Sequence, residues 1–190
     1  MEEKKARILS IAENIFSRYG IQKTTMDEIA KAARMGKATL YYYFKSKEDI
    51  FAAVIHREAT ILKQKLSKAI HEATTPQDKL SSYISTRMKH LKELGNYHTT
   101  LTDEYLLHYS FVEKEREEFT IYEITTIKSI LDFGVEEKIF SIEDTGLTAR
   151  MVTIALRGLE YPLLFNLTEY DLDSDIQSMM QIFFKGIETR

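Results

Sequence analysis

The sequence predicts an all-α chain, and three observations predict it. Apolar residues recur at i, i+3 and i+4 along most of its length, the period of helices that each bury one face. Its 190 residues include only 7 Gly and 2 Pro, too few for the tight turns of an all-β chain. Segment after segment opens on a capping residue, at Thr25, Ser46 and Thr75. A share of 44% hydrophobic and 29% charged residues excludes both a disordered acidic tail and a membrane protein. No apolar run approaches the roughly 18 residues of a spanning helix. Without Cys there are no disulfides, thiolate zinc sites or cysteine nucleophiles. The opening Met1-Glu2-Glu3-Lys4-Lys5 has no signal-peptide character, so the expected location is cytoplasmic.

The first helix runs from Ala6 to Tyr19 on Ile8, Ile11, Ala12, Ile15 and Phe16, and Gly20 supplies its left-handed stop. Thr25-Met26-Asp27-Glu28 has the capping-box pattern and opens a short helix, about Met26 to Arg34. Met35-Gly36-Lys37 breaks it, and residues 38–44 form a third short helix with Leu40 and Phe44 on one face. Ser46 with Asp49 starts a long helix reaching about Glu72. Thr75-Pro76 starts the next, to about Leu94, with Pro76 at the first helical position where its missing N–H costs nothing. Further helices are expected from about Thr99 to Tyr109, Phe111 to Glu137, Asp144 to Phe165 and Asp171 to Ile187, giving nine. Pro162 is expected to bend the eighth by removing a donor to Gly158.

Charge is divided unevenly. Residues 1–50 hold 10 Lys/Arg against 7 Asp/Glu, while the whole chain carries a formal charge of −3. A mildly basic head therefore sits on an acidic body.

The second and third helices form a helix-turn-helix, in which the second member enters the major groove. That member carries Lys37, Thr39, Tyr41, Tyr42 and Tyr43, whose ammonium and hydroxyl groups suit phosphate oxygens and base edges. Consecutive helical residues point about 100° apart, so the three tyrosines cannot share one role and at least one leans toward the protein. Half-buried packing on a surface helix is the competing reading of the tyrosines.

Thr24-Thr25-Met26-Asp27-Glu28-Ile29-Ala30-Lys31-Ala32-Ala33 followed by Lys37-Ala38-Thr39-Leu40-Tyr41-Tyr42-Tyr43-Phe44-Lys45-Ser46-Lys47-Glu48 closely resembles the DNA-binding signature of the TetR family of bacterial one-component regulators. The resemblance is carried by residues 6–55; beyond them it rests on length and helix count. It implies a helix-turn-helix DNA-binding domain at 1–46, an effector-binding and dimerisation domain at 47–190, a homodimer, and repression of a pseudo-palindromic operator relieved by a small molecule. By position it places Lys37, Thr39, Tyr41, Tyr42 and Tyr43 on DNA, Thr25 and Lys47 on phosphates, and Leu40 and Phe44 in the core of the head. Arg34, Gly36 and Ala38 depart from the family's usual Gly, Ser or Thr, and Gly. Arg34 is thereby expected to occupy a positive-φ turn position, at about 1 kcal/mol.

One reading helix covers too few base pairs to find an operator, so two copies are expected to read two half-sites. Leu156, Gly158, Leu159 and Leu163, with Phe183, Phe184 and Ile187, are the candidate dimer surface; the competing reading makes them body core. The effector pocket is expected in the aromatic stretch that includes Tyr105, His108, Tyr109, Phe119 and Tyr122, which favours an apolar or aromatic ligand. No metal or cofactor is expected: Glu104 and His108 are two ligands at most, and the run from Asp171 to Asp175 lacks the Gly and Glu of a calcium loop. A Gly-rich phosphate loop, GxSxG and His-Glu-x-x-His are all absent from the sequence, so no enzyme is expected. The alternatives to a regulator are a helical protein-interaction adaptor and an enzyme whose carboxylates carry no motif.

Overall fold

The structure, a computed structural model, describes residues 2–93, 109–164 and 172–189. Among them lie eight helices: α1 Glu2–Tyr19, α2 Met26–Ala32, α3 Lys37–Tyr43, α4 Lys47–Glu72, α5 Pro76–Glu93, α6 Tyr109–Glu136, α7 Thr145–Leu164 and α8 Leu172–Ile187. The remaining expected helix, about Thr99 to Tyr109, falls almost wholly outside the described residues. α7 continues through Pro162 to Leu164. No helix of the described residues is long and apolar enough to cross a membrane.

The expected starts are built as their chemistry requires. Thr75 Oγ1 accepts the Asp78 N–H at 3.1 Å ahead of Pro76, and Ser46 Oγ accepts the Asp49 N–H at 3.1 Å ahead of α4. Asp49 returns a carboxylate to the Lys45 N–H, also at 3.1 Å. Gly20 at φ 75° closes α1, its N–H donating to the Phe16 carbonyl at 2.9 Å.

The chain divides into two compact units, Met1–Thr60 with Glu93–Arg116, and Ile61–Lys92 with Glu117–Arg190. The first is organised by one apolar cluster: Ile8, Ala12 and Phe16 of α1, Ile29 and Ala30 of α2, Leu40 of α3, Phe44, and Ile50, Phe51 and Val54 of α4. The rings of Phe16 and Phe51 meet edge to face at 5.3 Å. α1, α2 and α3 are thus packed on the first turns of α4.

In the second unit α5 contributes Leu80, Tyr83, Ile84, Met88 and Leu91, α6 contributes Ile127, Ile130 and Leu131, and α7 and α8 contribute Ala149, Leu156, Ile176 and Met180. A charged cluster crosses this core. Arg87 pairs with Glu123 on α6 and, at 2.6 Å, with Glu160 on α7, and Tyr83 donates its hydroxyl to Glu123 at 3.1 Å. All four side chains are buried. Burial works against the Arg87 charge, but Glu123 and Glu160 more than offset it and hold the guanidinium charged, while burial pushes the Tyr83 phenol up. At the end of α6 the ring of Phe140 lies directly on Gly134, where a Cβ would fall within 2.0 Å of it. The same ring stacks on Phe184 at 6.1 Å.

Candidate nucleic-acid interface

The helix-turn-helix is set by two local devices. At its start Thr25 and Glu28 form a full capping box: the Glu28 N–H donates to Thr25 Oγ1 at 3.3 Å, and the Thr25 N–H donates to Glu28 Oε2 at 2.8 Å. The Thr25 hydroxyl, then its N–H, holds the Glu28 carboxyl below its ordinary value. At its turn Arg34 takes φ 50°, the left-handed conformation expected there, and the Met35 N–H reaches back to the Ala30 carbonyl at 3.0 Å. Gly36 caps α3 without a side-chain bond, at φ −69°.

These devices aim α3. Leu40 and Phe44 are buried in the head's core, and the opposite face is open: Lys37 and Ala38 are exposed, Tyr41 is 44% exposed and Tyr42 74%. Thr39 and Tyr43 are half-buried. Tyr43 packs against the apolar cluster and meets Tyr42 edge to face at 5.2 Å, so it is the tyrosine that leans inward. Lys37, Tyr41 and Tyr42 form one outward surface of phenol hydroxyls and an ammonium, the donor set that phosphates and groove edges accept.

Three of the expected contacts carry internal bonds, and sequence reading missed those of the two lysines. Lys47, half-buried, donates to the carbonyls of Gln22 at 3.2 Å and Thr24 at 3.1 Å. The Thr25 hydroxyl also donates to Glu28 Oε2, at 2.9 Å. Lys37 pairs with Asp27 at 2.7 Å. The capping-box spacing was the signal for Thr25; for the two lysines, partners ten and more than twenty residues away leave no local pattern.

Comparison with known proteins now bears on this geometry. The family model for bacterial regulatory proteins of the TetR family matches residues 8–54, the span of the cluster that positions α3. Residues 8–54 are a DNA-binding domain of the TetR type. An uncharacterised helix-turn-helix transcriptional regulator of Mycobacterium tuberculosis is 36% identical over 87 residues, covering 46% of this chain and 43% of that protein. The chain thus matches less than half the length of that relative. A fatty acid metabolism regulator protein of Bacillus subtilis is 24% identical over 98% of this chain and 97% of its own. A solved structure of a fatty acid degradation regulator from Bacillus halodurans superposes with a TM-score of 0.78 at 21% identity, covering 95% and 94% of the two chains, so the two share a fold over nearly their whole length.

Tyr105 and His108 lie outside the described residues, and Tyr109 enters as the first residue of α6. Phe119 is buried beside Tyr122, their rings 6.0 Å apart, and Lys63 lies over the Tyr122 ring at 5.1 Å. On α7, Leu156 is buried in the core of its own unit, while Gly158 is exposed and has open space around it. Leu159, Phe183, Phe184 and Ile187 are half-buried, and Leu163 lies in the last turn of α7. Exposed large apolar side chains on these two helices, among the described residues, are Leu147, Met151 and Ile154 of α7 and Ile182 of α8. Among the described residues no three His, Asp or Glu side chains converge as a metal site.

Proposed function

We propose that the protein is a sequence-specific DNA-binding transcriptional regulator, a repressor released from a pseudo-palindromic operator by a small-molecule effector. The observation that carries the reading is the outward face of α3, where Lys37, Tyr41 and Tyr42 stand free of a core that holds Leu40 and Phe44. Residues 1–46 read the groove; Thr39 and Tyr43 contribute from the edges of the reading face, and Thr25 and Lys47 reach phosphates. Lys47 spends two ammonium protons on the main chain and offers the third.

Two copies act together, as half-site reading requires. The stripe of Leu147, Met151, Ile154 and Gly158 follows helical spacing on α7, and Ile182 is 74% exposed on α8. These residues support a helical interface in which Leu159, Phe183 and Ile187 fill the second row and Leu156 supports from beneath.

The effector is apolar, of the fatty-acyl class. The fatty acid metabolism regulator that matches over the full length supports this, as does a cavity of about 120 Å³ lined by Ile84, Val152, Leu156, Met180, Phe183 and their apolar neighbours. Drug-sized ligands occupy roughly 300–1,000 Å³, so this cavity takes only the end of a chain. Phe119 and Tyr122 supply aromatic wall elsewhere in the same unit. Binding to duplex DNA from upstream of the protein's own gene, compared with scrambled duplex at moderate salt, tests the reading. Preference for the upstream duplex, loosened by a fatty acid or its thioester, is expected; equal binding to both sinks it.

A further inference from the structure

The reading helix carries its own counter-ion. Lys37 opens α3 and Asp27 lies in the first turn of α2, and the Lys37 ammonium sits 2.7 Å from Asp27 Oδ1 and 3.1 Å from Oδ2. Both side chains are exposed, at 60% and 65%, in a high dielectric where an ion pair is weak enough for another acceptor to replace the carboxylate. The neighbouring acids of the head are engaged elsewhere: Glu28 turns to Thr25, and Asp49 to the Lys45 N–H. Asp27 alone of these three faces a cation on the reading surface.

We propose that Asp27 sets specificity in the DNA-binding head, masking the Lys37 charge against random duplex and releasing it only where a site offers better acceptors than a carboxylate. This rests on the DNA-binding reading above. A paired lysine brings no net charge to the phosphate backbone, so it releases no counter-ion on non-specific encounter. In the cognate register the ammonium meets fixed acceptors, such as the O6 and N7 of guanine or a phosphate held at that point, and exchange becomes favourable. In every other register Lys37 stays on Asp27, and the pair adds no net attraction for the duplex. In the pair, the hydrogen bond to Asp27, and then its charge, hold the Lys37 ammonium above the ordinary lysine value.

The experiment is a salt titration of binding to a short, labelled duplex of scrambled sequence by the full chain and by Asp27→Asn, Lys37→Met and the double variant. Asp27→Asn is expected to steepen the salt slope by about 0.9, so that its advantage over the parent grows about eightfold for each tenfold dilution of salt. In the Lys37→Met background the same substitution is expected to change nothing. Equal steepening in both backgrounds would show Asp27 acting as a remote charge and overturns the proposal, as does an unchanged slope. Either result leaves DNA binding itself standing; a parent chain that fails to bind duplex at the lowest salt overturns both readings. Urea midpoints of the exposed-site variants confirm that folding is unchanged.

Discussion

The ammonium of Lys47 lies 3.1 Å from the carbonyl oxygen of Thr24, which ties the first turn of α4 to the segment between α1 and α2. Thr24 is itself buried, its hydroxyl donating to the Gly20 carbonyl at 2.7 Å. The lysine is therefore a strut of the head, whatever it adds as the phosphate contact proposed above. Lys47→Met is expected to destabilise the protein by about 1–2 kcal/mol, at the low end for charged hydrogen bonds because the group is part-exposed. Urea unfolding without DNA measures the strut. Under the proposed phosphate contact, a salt titration of DNA binding should show a slope shallower by about 0.9.

Arg34 occupies a left-handed turn position that glycine occupies without a Cβ penalty. Arg34→Gly is expected to raise stability by up to about 1 kcal/mol. Gly36→Ser adds a few tenths of a kcal/mol, since a serine side chain supplies the cap that α3 lacks. Space allows it: the nearest heavy atom to a Cβ at Gly36 is Thr39 Oγ1 at 3.9 Å. A double variant with a urea midpoint no higher than the parent's would contradict this account of the turn.

Local chemistry was legible in the sequence, and long-range pairing was not. Capping at Thr25, Ser46 and Thr75 and the apolar stripes place the starts of α2, α4 and α5 within a residue, because caps and periodicity act over a few positions. The inward lean of one tyrosine was legible for the same reason, whereas the positive φ at Arg34 followed from the family resemblance, in which Gly is usual at that position. The bonds of Lys37 to Asp27 and of Lys47 to Thr24 depend on how helices cross, which no spacing encodes. Leu156, read as dimer surface, is core because α5 and α8 cover it, and only tertiary packing distinguishes two sides of an apolar helix. The interruption of the α5 stripe by Arg87, between Ile84 and Met88, was the one sequence signal of the buried charge cluster.

The capping box carries a pH signature. Thr25 holds the folded Glu28 carboxyl below its ordinary value, so Glu28 contributes stability that is fully present above the usual carboxylate range. That contribution is lost as pH falls through the folded pKa, where the carboxylate is protonated. Comparing the urea midpoints of the parent and Glu28→Gln across this range should show a parent advantage at neutral pH that narrows on acidification. A gap independent of pH would mean that the box contributes nothing through its charge.

Gly134 is fixed by contact. A Cβ there falls 2.0–2.8 Å from three atoms of the Phe140 ring, which is itself stacked on Phe184. The ring cannot step aside as a flexible side chain does. Gly134→Ala is expected to destabilise by about 1–3 kcal/mol, the usual cost of overpacking, despite alanine's better helix propensity. Differential scanning calorimetry of Gly134→Ala, alone and with Phe140→Leu, tests the contact, since the second substitution should recover part of the loss.

Arg87 joins α5 to α6 and α7 through Glu123 and Glu160, with all three side chains at most 4% exposed. Such clusters are costly to break and dispensable to remove whole, because desolvation has already consumed most of the Coulomb gain. Arg87→Met removes the cation that two buried carboxylates share and is expected to cost about 3–5 kcal/mol. Replacing the set together, as Arg87→Met, Glu123→Leu and Glu160→Leu with Tyr83→Phe to remove the hydroxyl that Glu123 accepts, should restore most of that loss. Urea unfolding of the single and combined variants decides it. A combined variant as unstable as Arg87→Met alone would mean that the cluster contributes net stability of its own, and that the ion pairs, beyond being satisfied, hold the three helices together.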